Sequence, residues 1–292
     1  MKDKIIKIIA SLKTFLGKLD KLLAKLETII QVVEKDVERV YNLIPSTPDF
    51  RDYKFKDKLP LQDGVVLPTS FDLSKNMPPI VDQGNLGSCT ANAGVACLEY
   101  LMIKDKKPLN ILSRLFLYYF ERVLDGDVSQ DSGSSISNCM ATILKYGVCL
   151  ETLWPYNINK FAKKPGSNCV KEALTFLGLQ YVSIDNTDIN QIKQCIAINQ
   201  FPIDIGISVY DSFESEQVAK TGIVPMPNPS ENLLGGHSVV LVGFDDATKM
   251  FKVRNSWGNN WGIGGYFLIP YAYLTNTDLA TDFKALVKAD NA

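Results

Sequence analysis

The apolar residues of this 292-residue chain change their spacing partway along, and that change limits its fold more than any other feature. A helix-period run follows Cys89 (Ala91, Val95, Leu98, Leu101, Met102), and another extends from about Ile111 to Val123. After Phe201 the pattern becomes short β-rich runs: Ile203 to Val209, His237 to Phe244, Met250 to Arg254, Tyr266 to Ile269 and Phe283 to Val287. Gly, Pro and Asn separate them. Helices gathered first and strands gathered later define an α+β class. The spacing predicts a mainly helical domain over 64–200 and a mainly β domain over 201–292. With 46% hydrophobic residues, the chain has apolar material for one large core or two smaller ones.

Ahead of these lies a different pattern. Residues 1–44 repeat apolar positions in heptad steps: Ile5, Leu12, Leu19, Leu26, Val33 and Val40 in one row, Ile8, Phe15, Leu22 and Ile29 in the next. Ile9, Leu16, Leu23, Ile30, Val37 and Ile44 make a third. Three rows form a stripe wider than a simple coiled-coil seam, which predicts an amphipathic helix with a bend or break near Gly17. Up to residue 25, seven lysines face two aspartates, and the following stretch is acidic. That asymmetry reads either as a solvated face or as a contact with an acidic surface or membrane interface; dimerisation through residues 1–44 is a further option. Pro45, Pro48 and Pro60 then predict an extended arm or linker over 45–63. No apolar run reaches the roughly 20 residues of a transmembrane helix. Lys13, Lys18, Asp20 and Lys21 interrupt the core that a secretory signal requires, so location in the cytoplasm or packaging in a particle or vesicle is left open.

Composition removes several chemistries. His237 is the sole histidine, so no mechanism can use two imidazoles of one chain. Cysteines at 89, 97, 139, 149, 169 and 195 contain no C-x-x-C pair and no partner histidine at finger spacing, so no metal is expected. Phosphate-binding, dinucleotide and G-x-S-x-G motifs are missing, and no cofactor is expected. A formal net charge of -1 offers no field for nucleic acid. Thiol chemistry leads what is left.

Three segments carry it: Gln83-Gly-Asn-Leu-Gly-Ser-Cys89 entering a helix, Gly235-Gly-His237-Ser-Val-Val-Leu on a strand, and Asn255-Ser-Trp-Gly-Asn-Asn-Trp-Gly262 after another. A thiol ordinarily titrates near 8.5, but a helix N-terminus and a neighbouring imidazolium can lower that to about 3.5–7.5. Cys89 is thus the candidate nucleophile, His237 its acid/base partner, and Asn255 the amide that orients the ring. The Cys89 backbone N–H and the Gln83 side-chain amide are candidate donors to the developing oxyanion, each typically worth about 2.7–4 kcal/mol.

These three blocks, in this order and with this Gln/Cys spacing, resemble the papain-like cysteine peptidases, from roughly Leu67 to Ile269. The resemblance implies a two-domain fold, a helical left domain and a β-barrel-like right domain with the active cleft between them. It also implies a polypeptide substrate. By position, Gln83 matches the oxyanion glutamine, Cys89 the nucleophile, His237 the base, Asn255 the orienting asparagine and Trp257 the shielding indole. Gly133, Gly235 and Ser238 match substrate-binding positions, their small size leaving room for a bulky apolar side chain. Leu86 replaces a cysteine usually bridged beside the nucleophile, and Thr90 replaces the usual tryptophan. The Gly-Ser-Cys-Thr-Ala-Asn-Ala version and the Tyr146-Gly-Val-Cys149…Trp154-Pro-Tyr156 block are closer to microbial and viral members than to animal cathepsins. In an oxidising compartment Cys139, Cys149, Cys169 and Cys195 can form one or two disulfides, with Cys149–Cys169 the expected pair. Members of the family are commonly made as precursors, and residues 1–63 have the shape of an inhibitory prosegment held at high effective concentration. Two other classes compete: a catalytically silent binding protein on the same fold, and a thiol acyltransferase.

Overall fold

A computed structural model describes residues 12–26, 39–47, 49, 52–60 and 64–290. The first helix, α1, covers 12–26 and runs unbroken through Gly17; the rest of the helical expectation over 1–11 and 27–38 lies outside the described residues. Residues 40–292 form a compact unit of their own. Its elements in chain order are α2 (Phe55–Lys58), β1 (Ser70–Asp72), α3 (Cys89–Lys104), α4 (Arg114–Asp125) and α5 (Ile136–Tyr146). Then come α6 (Ser167–Ala173), β2 (Gly178–Ser183), α7 (Ile189–Ala197), β3 (Ile203–Tyr210), α8 (Glu216–Thr221) and β4 (Leu233–Asp245). The chain ends with β5 (Met250–Arg254), β6 (Tyr266–Pro270), α9 (Tyr271–Leu274) and β7 (Ala280–Ala289).

The five late apolar runs become β3 to β7, and the sheet order is β2-β7-β3-β4-β5-β6, with β1 pairing β4. Every pairing is antiparallel. The sheet therefore also draws in two strands from the part of the chain expected to be mainly helical, β1 and β2. Both are short and only partly buried, so neither leaves a strong period-2 signature.

Helix α3 is the axis of the fold. Cys89 through Met102 are all buried, and the polar Thr90, Asn92 and Glu99 among them are hydrogen-bonded to Glu121, Ser88 and the Leu112 N–H. It packs against α4, α5, β4 and β7. Close approach to α5 needs Gly94, where an added Cβ would lie 2.3 Å from the Cys139 sulfur. Ser113 caps α4 by accepting the Phe116 N–H, and Ser135 caps α5 by accepting the Asn138 N–H.

Two buried arginines brace the loops that lead to the site. Arg122 donates to the carbonyls of Tyr118, Val128, Gln130 and Phe161, fixing the loop before Gly133. Arg254 donates to the carbonyls of Pro78 and Pro79, fixing the approach to Gln83.

The helical period read through Ile44 does not persist to its end. Residues 40–47 contain no helix, and Asn42 and Leu43 form parallel bridges to Gly236 and Ser134. Backbone partners on the body outweigh the local periodicity. Within the arm expected to be extended, residues 55–58 instead form α2, with Phe55 completely buried. All six cysteines are free thiols here. Cys149 and Cys169 are side-chain neighbours within hydrogen-bonding contact, the arrangement from which the bridge expected in an oxidising compartment would form.

Candidate active site

Cys89 is the first residue of α3, where backbone N–H groups have no intrahelical acceptor and the helix dipole is positive. Its thiol lies against β4 and receives the backbone N–H of Ser238, the residue after His237. Helix start and strand thus bring position 89 to the strand that carries the only imidazole. Burial pushes the thiol up to about 12, the Ser238 N–H opposes the shift, and the nearby Glu121 and Asp204 carboxyls add to it.

His237 sits on β4 opposite Ile207 of β3 and is fully buried. Its Nε2 is 2.9 Å from Asn255 Oδ1. That oxygen also accepts the Ser256 backbone N–H at 2.9 Å, which fixes the orientation of the amide and so of the ring. Trp257 stacks on the imidazole with ring centroids 5.1 Å apart and planes 24° from parallel. Phe213 and Trp261 pack edge-on against Trp257, so the indole belongs to an aromatic cluster as well as to the site.

Residues 81–83 lie alongside 256–258. Gln83 N–H donates to the Ser256 carbonyl at 2.9 Å, Gly258 N–H donates to the Val81 carbonyl at 3.0 Å, and Asp82 bridges Trp257. This clasp joins the loop before Cys89 to the loop after Asn255. Gln83 is buried; its Oε1 accepts the Ser256 hydroxyl at 2.6 Å and its Nε2 donates to the Leu86 carbonyl at 3.0 Å. The four residues expected to carry the chemistry therefore come together at one place.

A groove beside them holds residues 41–44. Leu43 N–H donates to the Gly236 carbonyl at 3.1 Å and Ile44 N–H to the Ser134 carbonyl at 3.0 Å. Asn42 Nδ2 donates to the Asp131 carbonyl at 2.6 Å. Gly133 and Gly235 form its walls: φ is +74° and +148°, and an added Cβ would lie 1.8 Å from the Asn42 carbonyl oxygen or 2.7 Å from Tyr41. Only glycine permits that approach. The Tyr41 ring lies edge-on to His237, with centroids 6.0 Å apart, and its hydroxyl bonds Glu214.

Ser238 has its backbone N–H on the Cys89 thiol, and its hydroxyl donates to Asp204 at 2.7 Å, both groups being buried. The Leu43 side chain is met by Gly206, where a Cβ would lie 2.8 Å from Leu43 Cδ2 with Thr281 beside it, and by Gly236, where a Cβ would lie 3.1 Å from Leu43 Cβ. Sequence reasoning also passed over Asp131, whose carboxylate accepts the Gly87 N–H and the Tyr118 hydroxyl and so ties the Gly133 loop to the loop before Cys89. The Asp131-Ser-Gly133 run was the available signal for Asp131. Gly206 had none, because its partner is 163 positions away in sequence.

Comparisons with known proteins agree with this geometry. The papain family cysteine protease model matches residues 67–284. An uncharacterized peptidase C1-like protein of Acanthamoeba polyphaga mimivirus is 39% identical over 274 residues, covering 85% of this chain and 86% of its own. Among solved structures, xylellain, a cysteine protease from Xylella fastidiosa, superposes with a TM-score of 0.78 at 38% identity, covering 84% of this chain and 95% of that one. Procathepsin L 3 of the Tenebrio molitor larval midgut shares the fold at 20% identity, with a TM-score of 0.61 over 86% of this chain and 76% of that one.

Proposed function

Since this chain belongs to the papain family of cysteine proteases and is a papain-like cysteine peptidase, we propose that it cleaves peptide bonds through Cys89 and His237 and is made as a self-inhibited precursor. The observation that carries this reading is the Cys89 thiol on a helix N-terminus, against the strand of an imidazole held by Asn255.

With Nε2 facing Asn255, Nδ1 is the nitrogen that takes the thiol proton. The thiolate attacks the scissile carbonyl carbon and the carbonyl π-electrons move to oxygen. The Cys89 backbone N–H and a Gln83 Nε2–H stabilise that oxyanion. Collapse expels the amine, which receives its proton from the His237 imidazolium and leaves an acyl-enzyme thioester. Water then gives a proton to His237 and attacks the thioester; collapse returns the proton to sulfur and releases the acid. Asn255 contributes orientation without adding a charge beside the imidazolium.

Self-inhibition is supported by residues 41–44, which fill the groove between Gly133 and Gly235, and by the burial of the thiol they accompany. The Gln83 amide donates to Leu86 rather than to a carbonyl of this segment, so the occupant is not posed as a substrate. The proform named for the Tenebrio neighbour points the same way. The test is incubation of the full chain in reductant at mildly acidic pH beside Cys89→Ala. Trimming of the N-terminal segment and new peptide termini in an unfolded protein substrate, both absent from Cys89→Ala, are expected. A Cys89→Ala chain that trims and cleaves equally well would refute the reading, and transfer of acyl groups without new termini would redirect it to the acyltransferase class.

A further inference from the structure

Helix α1 carries an exposed apolar stripe. Leu12, Phe15, Leu16, Leu19, Leu22, Leu23 and Leu26 are all exposed, from 48% at Leu19 to 61% at Phe15. At 3.6 residues per turn these seven fall within an arc of about 120°, which contains no polar side chain. Lys18, Lys21 and Lys25 lie across from it, and Lys13 sits with Asp20 on the remaining flank. The helix is thus cationic, and Lys2, Lys4 and Lys7 in the sequence before it add to that charge.

We propose that α1 is a membrane-surface helix that docks the enzyme on anionic phospholipid, its leucine face entering the headgroup boundary and its lysines facing the phosphates. Among the described residues no helix is long and apolar enough to cross a membrane, so the mode is lying on the surface, not spanning it. Charge decides among occupants. Two copies of α1 packed face to face would bring eight lysines together against two aspartates, a repulsion that an anionic bilayer turns into attraction. The stripe is also three rows wide, broader than a two-row helix–helix seam needs, whereas a planar apolar boundary accepts its whole width. Lysine stems reach past the edge of such a boundary while their ammonium groups stay hydrated.

The experiment is vesicle flotation of the full-length chain carrying Cys89→Ala, which prevents self-trimming. Vesicles of phosphatidylcholine are compared with vesicles that also contain phosphatidylserine. Flotation is expected with the phosphatidylserine vesicles, reversed by high salt and lost in Leu19→Asp. Lys18→Gln combined with Lys21→Gln should weaken it at least about tenfold, since each lysine near such a surface is worth about 1 kcal/mol. The α1 side chains are exposed, so an unchanged unfolding midpoint is expected for these variants and separates lost docking from misfolding. No flotation, equal flotation with phosphatidylcholine alone, or wild-type flotation by Leu19→Asp overturns the proposal. A Leu19-dependent dimer that forms without vesicles and does not float also overturns it, in favour of self-association. None of these readouts requires peptidase activity.

Discussion

Shortening the chain to begin near Pro60 should destabilise the enzyme severely, whereas beginning it at Asp49 should not. Residues 52–59 are part of the folded body. Phe55 is 0% exposed, Lys54 bridges Ser183, and Leu59 accepts the Gln194 side-chain amide at 2.6 Å. Asp52 pairs with Lys284 while Tyr181 donates to it at 2.6 Å and Ser183 at 3.2 Å. Removing the Phe55 ring should cost about 3–5 kcal/mol, as buried aromatic truncations do. Leaving Lys284, 4% exposed, without its carboxylate should cost about another 3–5 kcal/mol. Together these rival the whole stability of a typical domain, about 5–15 kcal/mol. Desolvation works to raise the Asp52 carboxyl, but its bonds to Lys284, Tyr181 and Ser183 prevail and hold it below its ordinary 3.8. Its stabilisation is therefore present above that value and lost only as pH falls further, so mild acid does not loosen the strap. Any activating cut should thus fall before Asp52. Urea unfolding followed by tryptophan fluorescence checks this: the chain from residue 49 should match the stability of the full body, and the chain from residue 60 should lose most of it. Equal midpoints for the two would refute the reasoning.

Other perturbations separate the parts of the site. Asn255→Ala frees the imidazole from its oxygen acceptor and should lower kcat by about 10²-fold, the scale of an ångström-sized misplacement, with KM little changed; steady-state kinetics on a peptide substrate decide it. Gly206→Val fills the space now taken by Leu43, so a peptide-library profile should shift toward smaller side chains while the rate of Cys89 alkylation stays constant. The covered thiol, held at about 12, is protonated at neutral pH, and alkylation at pH 7 should accelerate when residues 1–48 are removed; equal rates would contradict inhibition by cover.

The catalytic candidates were legible because each sits in a short run whose neighbours fix its local geometry. Cys89 opens a helix, His237 follows two glycines on a strand, and Asn255 follows a strand end. The five late strands were legible because their apolar runs are long and buried. What escaped depends on distant partners. Val40 and Ile44 keep the heptad rhythm of residues 1–44, yet the backbone beside them is claimed by Gly236 and Ser134. The buried Asp204 that accepts the Ser238 hydroxyl lies on the adjacent strand, and no local pattern encodes that pairing.

The proposed pairing of the Cys89 thiol with the His237 imidazole is tested most directly by the pH dependence of Cys89 alkylation in chains that begin at residue 49. A reactive thiolate should persist well below pH 7 when His237 is present, and His237→Ala should move the whole limb up toward the range of an ordinary buried thiol. Superimposable profiles for the two proteins would mean that sulfur and imidazole do not share a proton.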